Sequence, residues 1–165
     1  TNLGSCSLYG LRGRHGAAGV FVLYAHTIMP GLRSTDDRTF VSAFAAIDRS
    51  IVNPWFLATT FVGALGATVV AAVVNRGHPA GWAAAVAAVA YVLCVVVTVV
   101  VHLPRNDGLR AAVVLGGDPG EIRAQFEEVR WAGWNLARVG FSGLAFGASA
   151  VALALAGLAS STPDL

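Results

Sequence analysis

The sequence predicts an all-α integral membrane protein, in which four spanning helices form a bundle and two further helices lie at one membrane face. Composition favours this class, because 56% of the 165 residues are hydrophobic and only 12% are charged, whereas soluble domains carry about a quarter charged residues. In addition, four apolar segments are long enough to cross about 30 Å of hydrocarbon, which takes roughly 17 residues or more. The length fits a single domain.

The four predicted spans are residues 16–32, 55–74, 80–103 and 139–159. The first is the weakest, because His26 interrupts it and because Arg12 and Arg14 before an apolar run are also typical of a signal peptide. No small-residue cleavage site follows, so we interpret it as a span. Residues 1–11 are expected to be a flexible leader, and residues 12–165 to form the domain.

The first polar segment, residues 35–52, is predicted to be an amphipathic helix. Its apolar side chains recur at offsets of three and four, opposite the charged ones; they are Phe40, Phe44, Ile47 and Ile51. We expect this helix along the membrane interface or across the mouth of the bundle.

The second polar segment begins with Asp118 and Pro119, a candidate N-cap followed by a proline at the first helical position. It is predicted to continue as one helix through Arg138 into the fourth span. Residues 75–79 are predicted to form a tight hairpin between the second and third spans, and residues 106–108 a turn.

Most of the charge is predicted to lie at one membrane face. With four crossings, the loops 33–53 and 104–138 lie at the same face, and they hold 16 of the 20 charged residues. We therefore expect any functional site at this charged end. All 11 basic residues are arginine, and eight of them lie in these loops, so the positive-inside rule favours a cytoplasmic location for the loops.

The same composition excludes several function classes. The net charge is only +2, and the arginines alternate with acidic residues, so there is no basic stripe for nucleic acid. Cys6 lies in the leader and Cys94 in an apolar span, which does not indicate a disulfide framework. Nucleotide and zinc-protease motifs are absent from the sequence.

Two smaller patterns concern the helices themselves. Asn53 before Pro54 is predicted to cap the second span. Gly143 and Gly147 form a GxxxG pattern, which is predicted to mark close helix packing.

Two histidines lie within predicted spans, toward the charged end. Ionisable groups in such segments are costly, so each carries a functional hypothesis. We expect His26 and His102 to face each other across the bundle mouth, where one would accept a proton near neutral pH. The alternative is that each is a neutral, hydrogen-bonded structural residue.

A second candidate set lies at the start of the fourth span. Trp131, Asn135 and Arg138 share one helical face, with Trp134 beside them and Glu128 a turn earlier. An interfacial aromatic belt with a snorkelling arginine is the alternative interpretation. A carboxamide near the membrane needs partners, however, so we favour a stripe that faces a ligand.

Short motifs at the span ends resemble those of a known family. In order they are Met29-Pro30-Gly31-Leu32-Arg33, Ile47-Asp48-Arg49, Ile51-Val52-Asn53-Pro54 with Phe56, Thr98, Leu103-Pro104-Arg105-Asn106 and Trp131-x-x-Trp134-Asn135-x-x-Arg138. This series resembles the anthrone oxygenase family of small four-span membrane proteins over nearly the whole chain. Members of that family include proteins of polyketide pathways that oxidise an anthrone to an anthraquinone with molecular oxygen.

The resemblance implies a site at one face of the bundle, made of Asn53, Thr98, Asn106, Trp131, Asn135 and Arg138. The chain departs from the family pattern at three positions. The position of His26 is usually apolar or aromatic, and those of His102 and Asp48 are usually asparagine. These departures indicate a specialised site.

The preferred hypothesis is a membrane-embedded enzyme for an apolar, polyketide-like small molecule. His26 or His102 would remove a proton beside a carbonyl, and Asn135, Trp131 or Arg138 would hold the developing oxyanion. Molecular oxygen would be the co-substrate, with no further cofactor required. The expected substrate-binding residues are Asn53, Thr98, Asn106, Trp131 and Trp134.

Three alternatives stay open. His26 and His102, with Asp48 or Glu128, would suit iron, copper or zinc in a metal-dependent oxidase. The same base would equally start a non-oxidative cyclisation or isomerisation. A non-catalytic scaffold or transport subunit is less favoured, because the chain has no internal repeat. Besides the substrate and the bilayer, a second copy of the chain is a candidate partner.

Overall fold

A computed structural model describes residues 19–160, and this part of the chain is almost entirely helical. Its helices are α1, helical from residue 19 and including Tyr24–Ile28 and Met29–Arg33; α2, Asp37–Ile51; α3, Pro54–Val74; α4, Pro79–Val114; α5, Pro119–Phe126; and α6, Glu128–Ser160. The predicted leader, Cys6 and the first residues of the predicted first span lie outside the described residues.

Three helices of the described part are long and apolar enough to cross a membrane, namely α3, α4 and α6. The described part of the chain is all-α, and the sequence has the composition of a membrane protein. Each of α1, α3 and α4 also contains a π-helical turn, at Tyr24–Ile28, Ala58–Gly63 and Thr98–His102 respectively.

Helix α4 packs against both α3 and α6. The buried positions between these helices hold small residues such as Ala87, Ala90 and Ala145, whereas valines such as Val62 and Val100 are exposed. Small residues let helix backbones approach closely where lipid removes the hydrophobic drive for association. The outward faces are thus suited to lipid rather than water.

Helix α4 is longer than a membrane is thick. Its 36 residues extend about 54 Å at 1.5 Å per residue, against about 30 Å of hydrocarbon. Its last part, Leu103–Val114, packs against α2 and α5. The buried aromatic cluster there includes Phe40, Phe44 and Phe126.

Side-chain caps start three of the helices. Oxygens of Asp36, Asn53 and Asp118 each accept a hydrogen bond from the backbone N–H three residues later, at 3.0, 2.8 and 3.0 Å. Such caps satisfy amides that have no partner inside the helix. The predicted helices in 35–52 and after Asp118 and the cap at Asn53 are therefore confirmed, as is the turn before Pro79.

The predicted turn at residues 106–108 is wrong, because these residues are helical within α4. Proline normally breaks a helix by clashing with the carbonyl four residues earlier. The wider π-turn Thr98–His102 immediately before Pro104 changes that spacing, which accommodates the ring. The helix that contains the predicted span 80–103 therefore continues beyond residue 103.

The predicted continuous helix from Asp118 through Arg138 is also wrong. Glu127 adopts a left-handed conformation with φ 53° and ends α5, so α6 begins afresh at Glu128. This conformation is costly for a residue with a Cβ. The Glu127 carboxylate accepts a hydrogen bond at 2.9 Å from Arg105 of α4. This bond offsets part of the cost of the left-handed conformation, because it ties the junction of α5 and α6 to α4.

The prediction of close helix packing at Gly143 and Gly147 is wrong for the described residues. A methyl group added at Gly143 or Gly147 would meet no atom within 4 Å. No described helix therefore packs closely on this face of α6.

Arg123 joins four segments at the charged end. Its guanidinium donates to the Thr35 carbonyl and the Asp37 carboxylate, both at 3.0 Å, and to Glu128 at 3.2 Å, and it lies 4.4 Å from the centre of the Phe40 ring. The side chain is only 17% exposed, so these contacts are shielded from water.

We expect Arg123→Ala to lower the free energy of unfolding by about 2–4 kcal/mol, because several partners would be left unpaired. Arg130→Ala is the matched control, since Arg130 is 61% exposed and, within residues 19–160, pairs only with Glu127. Equilibrium unfolding in mixed detergent micelles measures both, and equal effects of the two variants would contradict the role given to Arg123.

Candidate functional site

A cavity of about 70 Å³ lies among the π-turns. Each of these turns contributes to the wall, with Tyr24 from α1, Phe61 from α3 and His102 from α4. Turns of this kind occur frequently at functional sites. The cavity is smaller than the roughly 300–1,000 Å³ of typical ligand pockets, so a tricyclic ligand would require side chains to move.

His102 is the histidine that reaches this cavity. It is 1% exposed, its Nδ1 lies 3.4 Å from the Val97 carbonyl oxygen, and its Nε2 has no hydrogen-bond partner among the described residues. A carbonyl oxygen only accepts, so Nδ1 must carry the proton in this contact. In this tautomer, the lone pair of Nε2 is free to act as a base.

A chain of buried polar contacts runs beside His102. The indole N–H of Trp131 donates to the Asn106 side-chain oxygen at 2.9 Å, and the Asn106 amide donates to an Asp48 oxygen at 2.7 Å. The second Asp48 oxygen lies 3.3 Å from Arg110. The ring of Trp131 meets that of His102 edge-on, with centroids 4.9 Å apart.

Arg138 supplies a buried positive charge on the same cavity wall. It is 6% exposed, and no carboxylate of the described residues lies within ion-pair distance. It donates instead to the Asn135 side-chain oxygen at 2.7 Å, and its guanidinium lies 4.4 Å from the centre of the Phe21 ring. Asn135 in turn donates to the Phe21 carbonyl at 2.9 Å, which fixes α6 against α1.

Three other predicted site residues lie away from the cavity, and a fourth, Thr98, lines it. His26 is exposed on the outer side of α1, Asn53 is exposed at the start of α3, and Trp134 is 40% exposed. Thr98 lines the cavity, but its hydroxyl donates to the Cys94 carbonyl at 2.9 Å. The structure thus groups His102, Asn106, Trp131, Asn135 and Arg138, and it does not bring His26 to them.

The predicted metal ligands are not assembled. Glu128 is paired with Arg33 and Arg123, and His26 is exposed while His102 is buried. No group of three His, Cys, Asp or Glu side chains in residues 19–160 is placed to hold a metal ion. In the described residues, these side chains therefore do not form the metal site that the sequence analysis kept as an alternative.

Sequence reasoning missed Tyr24 and Phe21. Tyr24 is 5% exposed, lines the cavity and packs on Trp131 with centroids 5.4 Å apart. At 100° per residue, Tyr24 and His26 point to opposite sides of a helix, so only one of them can face inward. Phe21 lies one turn before Tyr24 on the inward face, a pattern that favours Tyr24.

Asp48 carries an electrostatic cost. Burial raises the pKa of its carboxyl above the ordinary value of 3.8, while Arg110 and the Asn106 hydrogen bond act in the opposite direction. Burial is the larger effect, because removing a carboxylate from water disfavours its charged form.

Comparison with known proteins gives one finding. A family model described as anthrone oxygenase matches residues 49–148, which include the cavity residues of α3, α4 and α6 but neither Asp48 nor α1. No curated protein and no solved structure matches the chain.

The raised pKa of Asp48 predicts a specific pH dependence. The folded parent binds this proton more tightly than the unfolded chain, so the stability gained from it is present below pH 3.8 and is lost as pH rises through the higher folded value. We expect Asp48→Asn, measured against the parent by unfolding between pH 4 and 7, to become relatively more stable as pH increases. A difference that stays constant, or that falls with pH, would contradict this.

Proposed function

The chain belongs to the anthrone oxygenase family, and on that premise we propose that it is a membrane enzyme of polyketide tailoring that oxidises an anthrone-type substrate with molecular oxygen. The observation that carries the proposal is the pairing of a buried base, His102, with a buried cation, Arg138, on the wall of one cavity. In this proposal α1 is the fourth member of the bundle with α3, α4 and α6, and the charged end faces the cytoplasm.

His102 would begin the reaction. The methylene C–H bonds of an anthrone lie across the central ring from the carbonyl and are acidic because they are conjugated with it through the fused rings. The free Nε2 can take one of these protons while the Nδ1–H contact with Val97 holds the imidazole ring. Proton transfer to a positioned base typically accelerates a reaction about 10²–10⁴-fold. The aromatic side chains of Tyr24 and Trp131 offer surfaces on which the substrate rings can stack.

Arg138 would hold the negative charge that develops on the carbonyl oxygen. A fixed cation in a water-poor site stabilises an oxyanion far more than it would in water. Asn135 acts as a positioning residue, since it accepts from Arg138 and anchors to the Phe21 carbonyl. Asn106 likewise fixes the indole of Trp131.

The electron-rich enolate would then react with oxygen directly. Carbon forms a bond to one oxygen atom, the oxygen takes up the electron pair, and a hydroperoxide results after proton transfer. Loss of water breaks the O–O bond and removes the second C–H proton, which leaves a carbonyl. One anthrone and one O₂ thus give one anthraquinone and one water.

We expect His102→Ala to reduce the turnover number by about 10²–10⁴-fold, measured as anthraquinone formation from anthrone by purified protein in lipid nanodiscs. The matched control is His26→Ala, which should retain parental turnover because His26 is exposed. Parental activity in His102→Ala, or an equal loss in both variants, would eliminate His102 as the base.

We expect Arg138→Gln to lower the turnover number about 10²-fold or more, whereas Arg138→Lys keeps the charge and loses less. Arg130→Gln, on the same helix but 61% exposed, is the control. Binding of anthraquinone separates the two contributions, because a residue that acts on the oxyanion changes turnover more than affinity. An equal loss of affinity and turnover number would assign Arg138 to the fold instead.

A further inference from the structure

The cavity wall changes from polar to apolar toward the outside. Its charged and histidine side chains, Asp48, His102 and Arg138, are all buried. Apart from Thr98, its partly exposed lining residues are apolar, and they include Phe56, Leu57, Phe61 and Val20. Leu57, at 39%, is the most exposed of the lining residues. An apolar mouth over a polar interior is suited to entry from lipid and not from water.

The position of the mouth along α3 supports this. Trp55 is 78% exposed near the start of α3, and tryptophan prefers the boundary between headgroups and acyl chains. At 1.5 Å per residue, Leu57 lies about 3 Å and Phe61 about 9 Å further along the helix. The mouth therefore opens at the outer part of the acyl-chain region.

The local backbone of α3 is irregular there. Phe56 and Phe61 form an edge-on ring pair with centroids 6.3 Å apart, directly beside Leu57, and the π-turn Ala58–Gly63 follows at once. Helices with such turns depart from the regular hydrogen-bond ladder. The mouth therefore borders a stretch of α3 in which the backbone is irregular.

We propose that the substrate enters sideways from the bilayer, between α1 and the beginning of α3, and that Leu57 sets the size of this passage. This rests on the proposed function, because the substrate class is a planar polycyclic compound. Such a molecule concentrates in the membrane, and a lipid-facing entrance delivers it to His102 and Arg138 without admitting bulk water.

The passage is tested by the kinetics of binding. Leu57→Phe narrows the mouth and Leu57→Ala widens it, and Val62→Phe and Val62→Ala are the matched controls, because Val62 is 72% exposed on the same helix and does not line the cavity. Stopped-flow quenching of tryptophan fluorescence by anthraquinone, in nanodiscs, gives the association and dissociation rate constants.

We expect Leu57→Phe to slow association and dissociation together, by about tenfold, as overpacking of a tight passage would, with the dissociation constant nearly unchanged. Leu57→Ala should accelerate both, and the Val62 variants should match the parent. Unchanged rates in the Leu57 variants overturn the proposal, as does a change in affinity with association unaffected, or equal effects at Val62.

The two proposals fail in different ways. If the parent shows no saturable quenching by anthraquinone, the proposed entrance is overturned. If anthraquinone binds with the expected Leu57 dependence but anthrone is not oxygenated, the entrance stands and the proposed function is overturned.

Discussion

The geometry of the candidate site depends on the two hydrogen bonds of the Asn106 carboxamide. From α4 it donates to Asp48 of α2 and accepts from the indole of Trp131 of α6. One buried amide therefore fixes three helices, and each of its contacts lies beside the cavity. A carboxamide can donate and accept hydrogen bonds at the same time. An apolar residue of the same size can do neither, so it could not replace Asn106 here.

Trp131, held by its hydrogen bond to Asn106, forms part of the cavity wall. Its ring contacts both His102, at 4.9 Å, and the Arg138 guanidinium, at 5.4 Å between the guanidinium carbon and the ring centre. The indole cannot rotate without breaking its bond to Asn106. The positions of His102 and Arg138 relative to each other are thus set by Trp131. Asp48 stabilises this arrangement although burial of its own carboxylate is costly, as is common where a polar network is fixed for geometry.

Sequence patterns predicted the helices well and their irregularities poorly. Apolar runs and cap residues such as Asp36, Asn53 and Asp118 identify helix positions because both effects are local. The π-turn before Pro104 and the left-handed Glu127 depend on neighbouring helices, through packing and through the ion pair with Arg105. The pattern at the start of α6 correctly grouped Trp131, Asn135 and Arg138, which share a helical face. The pattern in α6 does not show whether Tyr24 or His26 of α1 faces inward. The orientation of α1 is set by the hydrogen bond from the Asn135 side chain to the Phe21 carbonyl.

The concentration of charge at one end has two separate origins. Most of these residues form ion pairs with each other, as Arg123 does with Asp37 and Glu128, and they hold α2 and α5 in place over the spanning helices. Arg138 differs, because its partners in the described residues are an amide and two aromatic rings. A guanidinium without a carboxylate keeps its charge available to a ligand, while the aromatic rings reduce the cost of its burial. The charged end therefore provides the support, and we expect the function where the buried charge of Arg138 has no carboxylate partner among the described residues.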